Sequence, residues 1–118
     1  MPSSINFEPQ VSYNLTATIA NGQTTSAEID LAGTTLCGLI IPAVITGTAL
    51  SLQMSDTSGG TFVAVQDGNG NDLSIAVTAN KFIPINNLAV TAGVRFIKII
   101  SNASEAAQRS IKLVTRAV

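Results

Sequence analysis

Apolar and polar residues alternate with a period of two through most of this chain. Every second residue from Val11 to Ile19 is apolar, and asparagine, serine and threonine occupy the positions between them. Successive side chains of a β-strand point to opposite faces, so this alternation predicts a half-buried strand and not a helix.

Turn-forming residues interrupt the alternation about every ten residues. The interruptions include Asn21-Gly22, Ala32-Gly33 and the run "SDTSGG" at 55–60. They separate eight or nine short segments: "VSYNLTATIA", "AEIDL", "TLCGLII", "TALSLQM", "TFVAV", "LSIAV", "NKFIPI", "VRFIKII" and "SIKLVTR". This series predicts an all-β fold, an antiparallel β-sandwich of the jelly-roll type.

The position of each segment in the sandwich is partly readable from its composition. Within "AEIDL" we expect Ala27, Ile29 and Leu31 to face inward. "TLCGLII" is apolar on both faces, which is typical of a strand covered on both sides, and Cys37 is expected to be a small core residue. Pro42 is expected to end its strand or to place it at an edge, and Pro84 is expected to limit the ladder of the short segment "NKFIPI".

"VRFIKII" is also apolar on both faces. We expect Val94 and Phe96 to point one way and Ile97 and Ile99 the other, so that both faces of this strand bury something. The sequence leaves open whether one of those faces meets another chain.

The chain divides into an arm, residues 1–10, and a single sandwich domain, residues 11–118. Ile5 and Phe7 are isolated apolar residues of the arm. The arm is either frayed or docks through these two residues on a neighbouring subunit. The one helical candidate is 101–110, where Asn102 and Glu105 have capping-box spacing; it predicts at most two helical turns or a structured loop.

Composition argues against most catalytic chemistries. The chain has no histidine and one cysteine, so it cannot build a Ser-His-Asp triad, an internal disulfide or a cysteine-rich zinc site. Glu28 and Asp30 share one face of a strand, which indicates a solvated face, with a carboxylate pair for catalysis as the alternative. We expect no enzymatic activity, no cofactor and no metal.

The stretch "DGNGND", residues 67–72, has two interpretations. A calcium loop of the EF-hand type needs glycine at its sixth position and glutamate at its twelfth, but these places hold Asp72 and Thr78. A hairpin loop of three residues at 68–70, or one opened to five residues, instead places Gln66 opposite Asp72, Val65 opposite Leu73 and Val63 opposite Ile75. The spacing therefore favours a hairpin loop over a calcium site.

Charge is scarce, at 11% of residues compared with about 25% in an ordinary globular domain. This scarcity favours burial of part of the surface in a homo-oligomer or against a partner, although a monomer with a surface of neutral polar residues is the alternative. Acidic residues, except Glu105, precede residue 73, whereas every cation follows it. If folding preserves this separation, an acidic face of one subunit could meet a basic face of another.

Arg95 and Lys98 are therefore predicted, with Ile5 and Phe7, to be interface residues. Six scattered cations without interleaved aromatic residues predict no direct contact with nucleic acid. The first ten residues do not resemble a secretion signal, and no apolar run is long enough to cross a bilayer, so no membrane association is expected.

From Leu31 onward the sequence resembles small virion structural proteins of tailed bacteriophages. The resemblance is carried by "GLIIPA", the turn from Ser55 to Phe62, "RFIKIIS" and the closing "IKLVTR". In size the chain is closest to the capsid decoration, or cement, proteins. The resemblance implies a dimer or trimer on the outer capsid surface of the virion, assembled in the host cytoplasm and bound to the major capsid protein.

The resemblance carries over no catalytic residues. The alternatives are a tail, neck or fibre component of the virion, or a sugar-binding module for host attachment. The second has few rings for stacking on sugars, since the chain has one tyrosine and no tryptophan.

Overall fold

A computed structural model describes residues 15–117, which form two antiparallel β-sheets packed face to face. The predicted all-β sandwich is confirmed, with nine strands in this part of the chain. The strands are β1 (Leu15–Ile19), β2 (Ile29–Asp30), β3 (Thr34–Ile40), β4 (Ala49–Ser55), β5 (Val63–Ala64), β6 (Ile75–Ala76), β7 (Phe82–Pro84), β8 (Phe96–Ser101) and β9 (Arg109–Ala117). A 3-10 helix, Leu88–Val90, follows β7.

The first sheet has the order β1-β9-β3-β7, and the second has the order β2-β8-β4-β5 with β6 also paired to β4. A row of apolar residues crosses the first sheet, because Leu113 lies opposite both Leu15 and Leu39, and Leu39 lies opposite Ile83. This register places the apolar positions of neighbouring strands on one face, which packs against the second sheet.

The core lies between the two sheets and follows the predicted alternation in most strands. In β1, Ala17 and Ile19 are fully buried, whereas Thr16 and Thr18 are exposed. The core residues are Ala17, Ile19, Ile29, Leu31, Leu36, Leu39, Ile41, Leu50, Leu52, Val65, Ile75, Ile85, Val94, Ile97, Ile99, Ile111 and Leu113.

The prediction for Ala27 was wrong. Ala27 is exposed, and Ser26 is buried in its place. The Ser26 N–H donates to the Ile99 carbonyl, and the Ser26 hydroxyl accepts from the Ile99 N–H, both at 2.9 Å. These two bonds hold the chain against β8 before β2 begins, and they replace the simple alternation that the sequence predicts.

The strand β3 is buried on both faces along most of its length, as predicted, and it ends at Ile40, before Pro42. Cys37 is only half-buried and does not belong to the core, because the register with β9 shifts between Leu36 and Gly38 and leaves Cys37 as the extra residue of a bulge. Its thiol donates to the Thr35 carbonyl at 3.4 Å.

The two faces of "VRFIKII" are both covered within this chain. Ile97 and Ile99 belong to the core, as expected, but Val94 joins the same core, so the prediction that Val94 and Phe96 share a face was wrong. Phe96 lies outside that cluster, opposite Asp30 and Ser55, and is nevertheless buried. No other chain is needed to cover it.

Residues 102–108 form a structured loop between β8 and β9, and the helical alternative was wrong. Asn102 bonds to Thr48 instead of capping a helix. The Glu105 side chain is 0% exposed. Its two carboxylate oxygens accept four hydrogen bonds: from the Thr46 N–H at 2.8 Å, the Gly47 N–H at 2.9 Å, the Ser101 hydroxyl at 2.8 Å and Arg109 Nε at 2.9 Å.

Glu105 joins three connections at one end of the sandwich. Its side chain holds the β3–β4 connection at Thr46 and Gly47. Its backbone holds the β1–β2 connection, since the Gly22 N–H donates to the Glu105 carbonyl at 2.7 Å and the Glu105 N–H donates to the Gln23 carbonyl at 3.0 Å. A single buried residue, through its carboxylate and its backbone, therefore fixes the relative positions of segments that are far apart in sequence.

Burial acts to raise the pKa of the Glu105 carboxyl, but the hydrogen bonds from Thr46, Ser101, Gly47 and Arg109 outweigh burial and lower this pKa from the usual 4.5 to about 2. The folded state therefore favours the ionised Glu105 carboxylate over the protonated carboxyl group. The resulting stabilisation is present above pH 4.5 and is lost as the pH falls toward 2.

We expect Glu105→Gln to lower the free energy of unfolding by about 3 kcal/mol at pH 7, because an amide cannot accept all four hydrogen bonds and Arg109 loses its counter-charge. The difference from wild type should shrink on acidification toward pH 2. Urea unfolding across this range measures it. Asp56→Asn, in an exposed turn, is the control and should change stability by less than about 0.5 kcal/mol. A loss that persists unchanged at low pH would contradict the account.

A second prediction concerns the close approach of β7 to β3. A Cβ atom at Gly38 would lie 2.5 Å from the Phe82 ring and 2.9 Å from the Ile83 carbonyl oxygen. We expect Gly38→Ala to lower the free energy of unfolding by about 1–3 kcal/mol, because either the ring or the β7 backbone must shift. Gly93→Ala is the matched control, since nothing lies within 4 Å of its added Cβ. Equal stability of the two variants in urea would refute this packing.

Candidate interaction surface

Residues 66–72 form a hairpin that interrupts a strand. Both β5 and β6 pair with β4, with Ala64 opposite Gln53 and Ile75 opposite Leu50, and the chain between them leaves the sheet edge and returns. The predicted pairing of Gln66 with Asp72 is confirmed. The Leu73 N–H also donates to the Val65 carbonyl at 2.8 Å, as that register requires.

The predicted pairing of Val63 with Ile75 was wrong. These two residues bond to opposite ends of β4 instead of to each other. Val63 is 55% exposed, whereas Val65 and Ile75 are buried and Leu73 and Val77 pack against the core. The hairpin is therefore shorter than its flanking apolar residues suggest, because Val63 and Ile75 pair with β4 and not with each other.

The carboxylate of Asp67 is used inside this loop. Asp67 Oδ1 accepts from the Asn69 N–H at 2.7 Å and from the Asn71 N–H at 3.3 Å. Gly68 and Gly70 have φ angles of +88° and +91°, a backbone conformation that favours glycine. The loop is thus a turn closed by its own aspartate. Within residues 15–117, no three histidine, cysteine, aspartate or glutamate side chains group as metal ligands.

The acidic and basic parts of the sequence meet within the chain, because β2 lies beside β8. Arg95 forms a two-pronged ion pair with Asp30, with Nε to Oδ1 at 3.1 Å and Nη2 to Oδ2 at 3.3 Å. The hydrogen bond from Arg95, aided by one from the Ala32 N–H, lowers the pKa of Asp30. Folding therefore brings an acidic residue of the first part of the sequence beside a basic residue of the second part.

Lys98 lies on β8, and Glu28 directly precedes β2. The Lys98 ammonium lies 4.4 Å from the centroid of the Phe62 ring. Glu28 accepts from the Gly59 N–H at 2.7 Å and from the Ser58 hydroxyl at 2.6 Å, and these bonds lower its pKa. Glu28 and Asp30 thus tie down neighbouring loops, and the two carboxylates do not converge on a common site.

The structure places the predicted interface residues as follows. Arg95 and Lys98 are both engaged in contacts within the chain, on the outer face of the second sheet. Their participation in an interface stays a prediction. Ile5 and Phe7 lie outside the described residues.

Exposed apolar side chains gather around the edge strand β7. Phe82 is 52% exposed, and Ile40, which lies directly opposite it on β3, is 42% exposed. Leu88, at the start of the 3-10 helix that follows β7, is 46% exposed. We name these residues, together with the exposed Pro84, the β7 surface. The sequence pattern did not predict this surface, although Pro84 indicated that the ladder of β7 is limited.

A cleft of about 360 Å³ opens beside the β7 surface, between β6 of one sheet and β7 of the other. Its lining is mainly apolar and comprises Asp67, Leu73, Ser74, Ile75, Ala76, Ile83, Pro84, Ile85, Asn86, Asn87 and Val90. The cleft shares Pro84 with the β7 surface and reaches Asn87, the residue before Leu88, and an apolar side chain of a partner could enter it.

The outer edge of β7 offers few backbone groups for strand pairing. Lys81 and Ile85 bond to β3, so in an antiparallel ladder the groups of Phe82 and Pro84 point away from the sheet. Proline has no N–H, so Phe82 provides the one N–H that β7 can offer there. The edge is thus protected against open-ended strand addition, and side chains dominate what it can bind.

Comparison with protein-family models, with curated proteins and with solved structures gave no significant match for this chain. Among the described residues, no helix has the length and hydropathy needed to cross a bilayer.

A calcium titration tests the interpretation of the 66–72 hairpin. Because both N–H groups that face Asp67 already occupy its Oδ1 atom, we expect millimolar calcium to leave the melting temperature unchanged. Differential scanning calorimetry with magnesium as the control measures this. A rise of several degrees that is specific to calcium would show that the loop binds the ion.

Proposed function

We propose that this protein is a bacteriophage capsid decoration protein that binds the outer shell and stabilises the contacts between capsid subunits. The observation that carries the proposal is the β7 surface, a group of exposed apolar side chains beside an apolar cleft, in a chain with few charges. The resemblance of its strand and turn motifs to phage virion proteins points to the same role.

The strand order supports a jelly roll, which occurs in viral capsid domains. If β5 and β6 count as one strand interrupted by the 66–72 hairpin, eight strands form two four-stranded sheets. The first strand then pairs with the last, β1 with β9, in one sheet, and β2 pairs with β8 in the other sheet. This arrangement is that of a folded double Greek key. We propose this topology for the domain.

The proposed mechanism is mechanical. Docking would remove the exposed parts of Phe82, Leu88 and Ile40 from water. Because each is about half-exposed, each would contribute roughly half of the about 1.5–3 kcal/mol that full burial gives. The main charged pairs, Asp30 with Arg95 and Glu105 with Arg109, are already formed within the chain. Lys81, next to Phe82, and Lys112, opposite Ile40, are exposed at the margin of this surface, so a partner would leave them in water or pair them with acidic groups. Expansion of the shell would have to break apolar contacts.

Binding to isolated shells tests the proposal. We expect the wild-type chain to co-sediment with expanded capsids of its parent phage that lack it. Leu88→Asp should weaken this binding at least tenfold, because it places a charge in the apolar contact. Phe82→Asp should weaken it as well, with melting temperature measured to confirm folding, since the Phe82 ring also packs over Gly38.

Val63→Asp is the matched control, because Val63 is also exposed but lies on β5 in the other sheet and does not line the cleft. It should bind the shells like wild type. Failure of the wild-type chain to bind any shell would refute the decoration role. Binding that is insensitive to Leu88 and Phe82 but lost on Val63→Asp would refute the assigned surface.

A further inference from the structure

The chain contains two Asn-Gly dipeptides, Asn21-Gly22 and Asn69-Gly70, and both lie in exposed turns. Asparagine followed by glycine is chemically labile when the glycine nitrogen can reach the asparagine side chain, because glycine has no Cβ to obstruct the approach. The sequence gives no reason to expect different reactivity at the two sites. Within the described residues, however, only one of the two glycine nitrogens is held by a hydrogen bond.

The Gly22 nitrogen is held in place. Its N–H donates to the Glu105 carbonyl at 2.7 Å, and the adjacent Gln23 carbonyl accepts from the Glu105 N–H at 3.0 Å. Because Glu105 is fully buried and its carboxylate is held by four further hydrogen bonds, this turn cannot move without disturbing that network. The hydrogen bond also keeps the proton on the Gly22 nitrogen.

The Gly70 nitrogen is not held. In the described part of the chain, the Gly70 N–H makes no hydrogen bond, although the N–H groups of Asn69 and Asn71 on either side both donate to Asp67. A Cβ built at Gly68 or Gly70 would meet nothing within 4 Å, so the loop has open space around it. The Asn69 side chain is exposed and makes no hydrogen bond within residues 15–117.

We propose that Asn69 is a site of spontaneous deamidation, whereas Asn21 is protected. The Gly70 nitrogen loses its proton and forms a bond to Asn69 Cγ, and the bond from Cγ to the side-chain nitrogen breaks to release ammonia. The resulting succinimide is opened by one water molecule at either carbonyl. Opening gives aspartate, or isoaspartate in which the backbone runs through the former side chain. No oxidant or reductant is involved.

The reaction would add a third carboxylate beside Asp67 and Asp72. The new carboxylate should alter only the loop. The hydrogen bond between Val65 and Leu73 and the pairing of Gln66 with Asp72 join the two sides of the hairpin outside residues 68–70. The core that holds β5 and β6 against β4 does not include Asn69. The hairpin can therefore accumulate charge without loss of the fold.

The experiment incubates the intact chain at mildly alkaline pH in water labelled with ¹⁸O and follows both sites by peptide mapping. In the folded chain, Asn69 should react about tenfold faster than Asn21, which corresponds to the cost of about one hydrogen bond at Gly22. The product should be a mixture of aspartate and isoaspartate carrying one ¹⁸O atom per event. In urea, where the bond to Glu105 is lost, the two sites should react at similar rates.

Two results would overturn the proposal. One is a native Asn21 that reacts as fast as Asn69 or faster. The other is a folded chain in which neither site reacts, although both react in urea, because that would show that the 66–72 loop protects Asn69 as well. Thermal unfolding of the deamidated fraction completes the test, with a melting temperature close to that of the unmodified chain as the expected result.

Discussion

The Glu105 carboxylate is the interaction on which the arrangement of this sandwich most depends. Burial of an isolated charge is strongly unfavourable, and this charge is stabilised because four donors from the β3–β4 connection, β8 and β9 converge on it. Its backbone adds the β1–β2 connection. Two sheets that otherwise share only a non-directional apolar core thereby gain a directional constraint at one end. Protection of Gly22, and so the different chemistry of the two Asn-Gly turns, follows from the same network.

The pairing of charges within the chain explains how a domain with so few charged residues can expose an apolar edge. Asp30 pairs with Arg95, Glu105 pairs with Arg109, and Glu28 holds the turn at Ser58 and Gly59. These contacts lie on β2, β8 and the connections, away from β7. The β7 surface keeps Phe82, Ile40 and Leu88 beside the cleft, with Lys81 before Phe82 and Lys112 opposite Ile40 at its margin. Such an edge suits a contact built on shape and desolvation more than one built on long-range attraction.

Local patterns in the sequence predicted the fold well, and contacts between distant residues account for what they missed. Alternation placed Ala17 and Ile19 inward, and turn chemistry placed Gln66 opposite Asp72. The spacing of Asn102 and Glu105 suggested a helical cap, but the backbone partners of Glu105 in the β3–β4 connection lie 58 and 59 positions away. The pairing of Val63 and the β7 surface were not predicted, because both depend on strand order. Strand order decides which strands pair and which strand lies at an edge, and it is not a local property of the sequence.

The most direct test of the account is cryo-electron microscopy of the parent phage particle. If this chain decorates the capsid through the β7 surface, the map should show the sandwich on the outside of the capsid, at junctions between capsid subunits. In that map β7 and the 3-10 helix at Leu88–Val90 should be turned toward the shell. Phe82 and Leu88 should be covered by the capsid protein in that map. A particle without this chain, or a chain bound to the tail or facing the shell through the opposite edge, β1, would contradict the account.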